Sequence, residues 1–287
     1  MTVKRTTWFV LLIALFFAGD RIAAKMLEKT VVESQFRYSR LYRGEAASDI
    51  LLIGNSRGLS FYQPYIEKVT GTSTFNLSYN GMTMNVASDL IADYLDCYQP
   101  KLLLIDVTMC DHKSKSFTLS FAPYQIHSPR ISTSIKTTDR TTYYAQQFSH
   151  LFRYNNELFQ RILYYYDQSD KTWLLDRKIT STMEKDVALE EYRIDLHYVE
   201  ELKKSIELAE AKGVKVRLLI NPYYVPFTDV LEGLEDFKTQ IEIVTKHQVY
   251  DFSRAIADKD LFGDYQHLNQ EGSEVYIDLL KEEGILD

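Results

Sequence analysis

Two polar stretches of the sequence carry residue types that can perform nucleophilic acyl chemistry. Ser56 lies in "LLIGNSRG", directly after an apolar run, and Asp264 and His267 are three residues apart in "GDYQHLNQEG". A serine hydroxyl becomes a nucleophile when an imidazole takes its proton and a carboxylate orients that imidazole. Each stretch also has a structural interpretation, in which Ser56 or Asp264 caps a helix and His267 lies on the surface. The two stretches together favour a Ser-His-Asp triad.

A third stretch, "NLSYNGMT" (76–83), offers hydrogen-bond donors for the same chemistry. Gly81 has no side chain, so its N–H can approach a ligand closely. With the N–H of Ser56, it would stabilise the oxyanion of an acyl-transfer transition state. The alternative is that Asn80 and Gly81 only form a turn.

The elements that would position these residues alternate between strand and helix patterns. Helical spacing of apolar residues, as at Val86, Leu90 and Ile91, separates several of the strand-like runs. This pattern predicts an α/β fold with a parallel sheet covered on both faces, whose carboxyl edge is the place for chemistry. The runs that predict the strands are 49–54, 74–78, 101–107, 214–220 and 249–253.

The N-terminus predicts export. Lys4 and Arg5 precede "WFVLLIALFFAG" (8–19), which has the length of a signal h-region and is short for a membrane span. We interpret 1–26 as an uncleaved signal anchor with the rest of the chain outside the cytoplasm. The alternatives are a cleaved signal peptide, giving a secreted or periplasmic protein, and a buried N-terminal helix. A polar connector over 27–48 and a domain over 49–287 follow, the latter with a partly helical, aromatic-rich insertion at about 109–195.

Charge, cysteine positions and missing motifs argue against nucleic-acid binding, a disulfide, a metal site and a bound cofactor. The net charge of -7 and the absence of a Lys/Arg cluster argue against a nucleic-acid partner. Cys97 and Cys110 flank a predicted strand, too far apart for a disulfide, and should be free thiols. Metal-ligand spacing and a glycine-rich phosphate loop are both missing, so no metal and no cofactor are predicted.

The motifs "IGNSRG" and "DYQHLN", with the Asn-Gly turn between them, resemble those of the SGNH/GDSL hydrolase family. The resemblance implies a flavodoxin-like three-layer α/β/α sandwich with about five parallel strands. It also implies that Ser56 is the nucleophile, His267 the general base and Asp264 its partner. The N–H groups of Ser56 and Gly81 would form the oxyanion hole.

The sequence departs from the family pattern at two places. Asn55 stands where the family usually has aspartate, and "DVTMCD" (106–111) lacks the asparagine of the third family block. Thr108 is the candidate substitute donor, while Asn221 follows the fourth strand and could be a polar donor at the sheet edge. Arg57, next to the nucleophile, would hold an acidic sugar or pair with a carboxylate. We therefore predict that the substrate contacts Asn55, Arg57, Asn80 and Asn221.

The N-terminal anchor and "IGNSRG" look most like the extracytoplasmic SGNH-like proteins that work beside membrane-bound O-acyltransferases. That likeness implies a serine-dependent O-acyl esterase or O-acyltransferase acting on cell-surface polysaccharide. Two alternatives stay open. One is a non-catalytic, membrane-tethered scaffold of a polysaccharide assembly system. The other is a lipase-like esterase that acts on small esters.

Overall fold

The computed structural model describes residues 2–111, 114–180 and 190–287, which form two compact units. The sheet unit comprises Ala46–Ser114 and Asp170–Asp287, and the helical unit comprises Met1–Glu45 and Lys115–Ser169. The predicted boundaries differ from this division. The connector predicted over 27–48 contains helical segments, and only the central part of the predicted insertion leaves the sheet unit. Residues 112–113 and 181–189 of that insertion lie outside the described residues.

The sheet unit contains the five parallel strands that the apolar runs predict. Their order is β2-β1-β3-β5-β7, and every neighbouring pair is parallel. This is the flavodoxin-like order, with its topological switch point between β1 and β3. Two short strands, β4 and β6, pair separately. The strands are β1 Ile50–Ile53, β2 Thr74–Asn76, β3 Leu102–Asp106, β4 Glu190–Glu191, β5 Lys215–Ile220, β6 Leu231–Glu232 and β7 Val249–Asp251.

Helices cover both faces of the sheet. Alternate strand residues such as Leu52, Leu104 and Leu219 share a buried cluster with Ile66 and Ile277, which lie on two different helices. The intervening residues point to the other face, since side chains alternate along a strand. In the same unit, the helix Leu196–Ala211 packs against both Met84–Cys97 and Leu234–Thr245. The predicted three-layer arrangement is therefore present. Among the described residues, the helices of this unit are α3 Gln63–Thr70, α4 Met84–Cys97, α9 Leu196–Ala211, α10 Val225–Thr228, α11 Leu234–Thr245 and α12 Gln270–Glu282.

The helical unit is built around aromatic side chains. Phe36 packs edge-on against Tyr38 and stacks on Tyr165, with ring centroids 5.2 and 5.8 Å apart, and Tyr38 also contacts Phe121. The aromatic residues of the predicted insertion thus contribute to a core of their own. The helices of this unit are α1 Thr2–Glu33, α2 Arg37–Arg43, α5 Lys115–Ser120, α6 Pro129–Thr138, α7 Arg140–Phe148 and α8 Glu157–Tyr164.

Helix α1 contains the apolar run of the predicted anchor. Within the part of the chain that the structure describes, no helix combines the length and the apolar character that crossing a bilayer requires. Both cysteines are free thiols, as predicted, with Cys97 exposed and Cys110 buried.

Asp20 of α1 is a buried acceptor inside the helical unit. Its carboxylate accepts hydrogen bonds from Ser149 Oγ (2.6 Å), the His150 N–H (2.8 Å) and the Leu151 N–H (3.2 Å). These donors stand at the start of a 3₁₀ helix, His150–Tyr154, whose first N–H groups lack partners within the helix. Asp20 therefore caps an element that is distant in sequence.

We expect Asp20→Ala to lower the free energy of unfolding by about 2 kcal/mol, because the donors lose a charged acceptor. Denaturant unfolding followed by circular dichroism measures the change. Asp167→Ala, which removes an exposed acid from the same unit, is the control. Equal stability of the two variants would contradict the capping role of Asp20.

Candidate active site

Ser56 stands at the carboxyl end of β1, in a tightly packed turn. The strand ends at Ile53, and a 3₁₀ helix begins at Ser56 after Gly54 and Asn55. A Cβ atom on Gly54 would lie 2.8 Å from Asp106 Cβ, so only glycine fits there. The residue that caps the helix is Asn55, whose Oδ1 accepts the Arg57 N–H at 3.0 Å. The capping interpretation of Ser56 is therefore wrong, and its hydroxyl is available for another role.

The structure brings Ser56, His267 and Asp264 together. Ser56 Oγ lies 2.7 Å from His267 Nε2, and His267 Nδ1 lies 2.7 Å from Asp264 Oδ1. The serine is 211 residues from the histidine in sequence, so only the fold makes them neighbours. The arrangement has the geometry of a nucleophile, a base and an orienting acid.

The loop before α12 shapes the acid and the base. We call residues 258–269 the acid-base loop. The N–H groups of Gln266 and His267 both donate to Asp264 Oδ1, at 2.9 and 3.0 Å, which folds the loop around the carboxylate. The cap of α12 is Asn269, whose Oδ1 accepts the Gly272 N–H at 3.0 Å. Asp264 is therefore not the cap of the final helix.

The carboxylate of Asp264 is held in its ionised form. Burial raises its pKa, but hydrogen bonds from His267, Gln266 and Arg177 outweigh that effect, and the net result is a pKa below the ordinary value of 3.8. An ionised carboxylate only accepts hydrogen bonds, so the Nδ1 atom of His267 carries the proton. The Nε2 atom is then free to accept the proton of Ser56.

Two backbone N–H groups beside the serine are suited to an oxyanion. Within the described part of the chain, neither the Ser56 N–H nor the Gly81 N–H has a hydrogen-bond acceptor. Gly81 adopts a φ of 70°, a conformation that favours glycine. Both residues line the same cavity as His267. Both N–H groups are therefore candidate donors to a ligand in this cavity.

The predicted third donor, Thr108, does not face the cavity. It is fully buried, and its N–H and Oγ1–H both donate to Asp106 Oδ1, at 3.0 and 2.5 Å. Its Oγ1 also accepts from Asn55 Nδ2 at 3.0 Å. The prediction for Thr108 is wrong because both donor groups of Thr108 are hydrogen-bonded to the buried carboxylate of Asp106.

Three of the four predicted substrate contacts are also buried, and of these three Arg57 alone lines the cavity. Asn55 is held by Thr108, and Asn221 donates to Asp106 Oδ2 (3.0 Å) while accepting from the Tyr276 hydroxyl (2.7 Å). The Arg57 guanidinium is 4 % exposed, lies 3.5 Å from Asp106 and stacks 4.2 Å above the Tyr223 ring. Of the two roles considered for Arg57, the structure shows pairing with a carboxylate.

These contacts form a polar network beneath the serine turn, centred on the buried Asp106. Only Asn80, among the predicted contacts, is exposed on the cavity wall.

The cavity in front of Ser56 has a volume of about 300 Å³, at the small end of ligand pockets. Its walls mix apolar and polar side chains. Trp173 and its neighbours come from a segment for which the sequence offered no signal, because it has neither strand nor helix periodicity. The residues lining the cavity are Ser56, Arg57, Leu59, Ser60, Asn80, Gly81, Trp173, Leu174, Leu175, Pro222, Asp264, Gln266, His267 and Leu268.

No protein-family model and no curated protein matches the chain. Among solved structures, it is similar to a protein from Bacteroides fragilis NCTC 9343 described as an acylhydrolase (11% identity, TM-score 0.39, covering 85% of this chain and 89% of the other). It is also similar to a GDSL-like lipase from Bacteroides thetaiotaomicron VPI-5482 (11% identity, TM-score 0.38, covering 84% and 88%). TM-scores this low bear neither on the fold nor on the activity of this chain.

Proposed function

We propose that this chain is a serine-dependent esterase or O-acyltransferase. The observation that carries the proposal is the continuous hydrogen-bonded array from Ser56 Oγ through His267 to Asp264, with both distances at 2.7 Å. The two N–H groups without acceptors at the same cavity add the second requirement of acyl transfer, a site for the oxyanion.

In this mechanism, Ser56 Oγ attacks the ester carbonyl carbon while its proton passes to His267 Nε2. The carbonyl oxygen becomes an oxyanion that accepts hydrogen bonds from Ser56 and Gly81. Collapse breaks the bond to the leaving alkoxide, which takes the proton from Nε2. Water or a second hydroxyl then attacks the acyl-serine with His267 again as base, which regenerates the serine. Asp264 stabilises the imidazolium in both halves.

We further propose that the reacting hydroxyl belongs to a cell-surface polysaccharide. The resemblance of "IGNSRG" to extracytoplasmic SGNH-like proteins supports this, as does a cavity wall that pairs Trp173 with the polar Asn80 and Gln266. Amphipathic aromatic rings with nearby amides suit a sugar, which presents both C–H faces and hydroxyls. The acyl donor would come from a membrane-bound O-acyltransferase partner.

The proposed location is the outer side of the cytoplasmic membrane. Large apolar side chains on α1 are exposed, among them Trp8 (73%), Leu12 (65%) and Leu15 (69%). An apolar patch of this kind marks an interaction with a membrane or another protein. We propose that residues 8–19 of the helical unit tether the chain to the membrane, with the sheet unit outside the cytoplasm.

Covalent labelling of the full-length protein tests the activity. A fluorophosphonate should add one adduct, mapped to Ser56 by mass spectrometry, because only an activated serine displaces its fluoride. Ser60→Ala is the matched control. Ser60 lines the same cavity, but its hydroxyl donates to the Arg57 carbonyl at 2.6 Å, so this variant should label normally. A folded wild-type protein that stays unlabelled would overturn the catalytic proposal in favour of a scaffold.

An ester panel separates the substrate classes. We expect turnover of acetylated oligosaccharides and of p-nitrophenyl acetate, with activity falling as the acyl chain lengthens, because a cavity of about 300 Å³ accommodates only a small group. Preference for long-chain esters would instead favour the lipase-like alternative.

A further inference from the structure

The acid-base loop is held in place by a segment that follows the helical unit in sequence. We call residues 170–180 the strap. Leu175 forms a parallel bridge with Asn269, and the Ile179 N–H donates to the Phe262 carbonyl at 3.0 Å. The strap therefore runs along the loop that carries both the acid and the base.

The packing between strap and loop is close. A Cβ atom on Gly263, the residue before Asp264, would lie 2.8 Å from Leu175 Cβ and 2.9 Å from its Cδ1. Asn269 reaches back to the strap, with Nδ2 3.4 Å from the Arg177 carbonyl. Since contacts under 3.0 Å require something to shift, a glycine is needed where the strap crosses.

Arg177 of the strap contacts the catalytic acid directly. Its Nε donates to the Gly263 carbonyl at 3.0 Å, and its Nη2 donates to Asp264 Oδ2 at 3.1 Å. The two oxygens of Asp264 have different partners: Oδ1 accepts from His267 and Gln266, whereas Oδ2 accepts from Arg177. One planar guanidinium thus fixes both the loop backbone and the rotation of the carboxylate.

We propose that Arg177 is a positioning residue for the acid of the triad, which rests on the proposed function. By holding Oδ2, it aims Oδ1 at His267 and so aligns Nε2 with Ser56. Misplacing a catalytic group by even a fraction of an ångström slows an enzyme, because the reacting atoms leave their aligned geometry.

Arg177 also sets the electrostatics of the acid and base. The charged groups described around them are few. His267 and Arg177 contact Asp264, Arg57 lines the cavity but pairs with Asp106, and Lys178 pairs with Glu271 at 3.3 Å. Removing Arg177 takes away one of the hydrogen bonds that lower the pKa of Asp264, so the carboxylate would take up a proton at a higher pH. The acid limb of the pH profile should therefore move to higher pH.

The test compares Arg177→Met with Lys178→Met. Lys178 is the next strap residue and is similarly exposed (side chain 55%, against 51% for Arg177), but it pairs with Glu271 of α12 instead of the triad. We expect Arg177→Met to lower kcat about tenfold to a hundredfold, with little change in KM, because the variant disturbs alignment rather than the cavity wall. Its acid limb should move to higher pH, and by less at high salt. Lys178→Met should match the wild type.

Arg177→Lys keeps the positive charge but replaces the planar guanidinium, which donates to two acceptors at once, with a single ammonium group. It should retain the wild-type pH profile while recovering only part of the rate, and it covers the case in which Arg177→Met does not fold. A folded Arg177→Met with the rate and pH profile of Lys178→Met would overturn the inference, as would Arg177→Lys that shows no loss of rate. With either of these two results, the proposed function would still stand if fluorophosphonate labels Ser56 in the wild-type protein. A wild-type protein that never labels overturns both.

Discussion

Ser56→Ala is expected to lower kcat/KM for a turned-over ester by about 10⁴-fold or more, because the acyl group loses its covalent acceptor. The N–H groups of Ser56 and Gly81 remain in this variant, so binding should persist and residual activity should stem from them alone. Initial rates at ester concentrations well below KM measure the loss, and fluorophosphonate labelling should vanish with it.

The pattern among triad variants is the sharper test. His267→Ala should lose about as much as Ser56→Ala, and the double variant should lose no more than either, because the groups act as one unit. Asp264→Asn should also lose about 10⁴-fold, since an amide in place of the carboxylate favours the wrong tautomer of His267. Additive losses in the double variant, or normal turnover by His267→Ala, would contradict a triad.

Asp106→Ala is expected to give the largest loss of stability. Asp106 is fully buried and faces the guanidinium of Arg57, which is 4 % exposed. Burial lowers the pKa of Arg57, but interactions with Tyr192 and Asp106 raise it by more. The pKa therefore lies above the ordinary value, and the guanidinium stays charged. Removing one partner of a buried pair leaves an uncompensated charge, at a cost of about 3–5 kcal/mol. For a unit of this size, Tm should fall by about 10 °C.

The control contrasts this pair with an exposed one. Asp49 pairs with Lys101 at 2.9 Å beside the same sheet, with side chains 38% and 81% exposed, and Asp49→Ala should hardly change Tm because water screens that pair. The double variant Arg57→Met/Asp106→Asn should recover part of the lost stability, since it leaves no unpaired buried charge and keeps an amide oxygen as acceptor for Thr108. An unchanged Tm in Asp106→Ala, measured by circular dichroism, would contradict this account of the network.

The sequence predicts the strands because each is a continuous apolar run. It also predicts that the stretches containing Ser56, Gly81 and His267 lie close together, because each stretch follows or approaches the same edge of the sheet. Continuous apolar runs become central strands of a parallel sheet, and residues that follow such strands share its carboxyl edge. Ser56 follows β1 and Gly81 lies beyond β2, which are neighbouring strands. The triad spacing within "DYQH" likewise depends on a short loop, where Asp264 and His267 contact each other over three residues.

The directions of the polar side chains could not be predicted in the same way. Asn55, Thr108 and Asn221 all follow strands, as a binding residue would, yet they turn toward Asp106 and serve the network beneath the serine. A buried carboxylate needs donors from several elements, and which residues supply them depends on how the strands pack.

By itself, the sequence determined the five-stranded parallel sheet. It also determined that a serine, a glycine turn and an Asp-x-x-His loop lie at the carboxyl edge of that sheet. Tertiary structure alone decided which side chains reach the cavity and which groups support the acid. Arg177 shows the reason most plainly: it meets Asp264 across 87 residues of sequence. Neither residue lies in a periodic element that would predict the contact. Local periodicity reports the burial of an element, whereas a contact between two loops depends on the path of the whole chain between them.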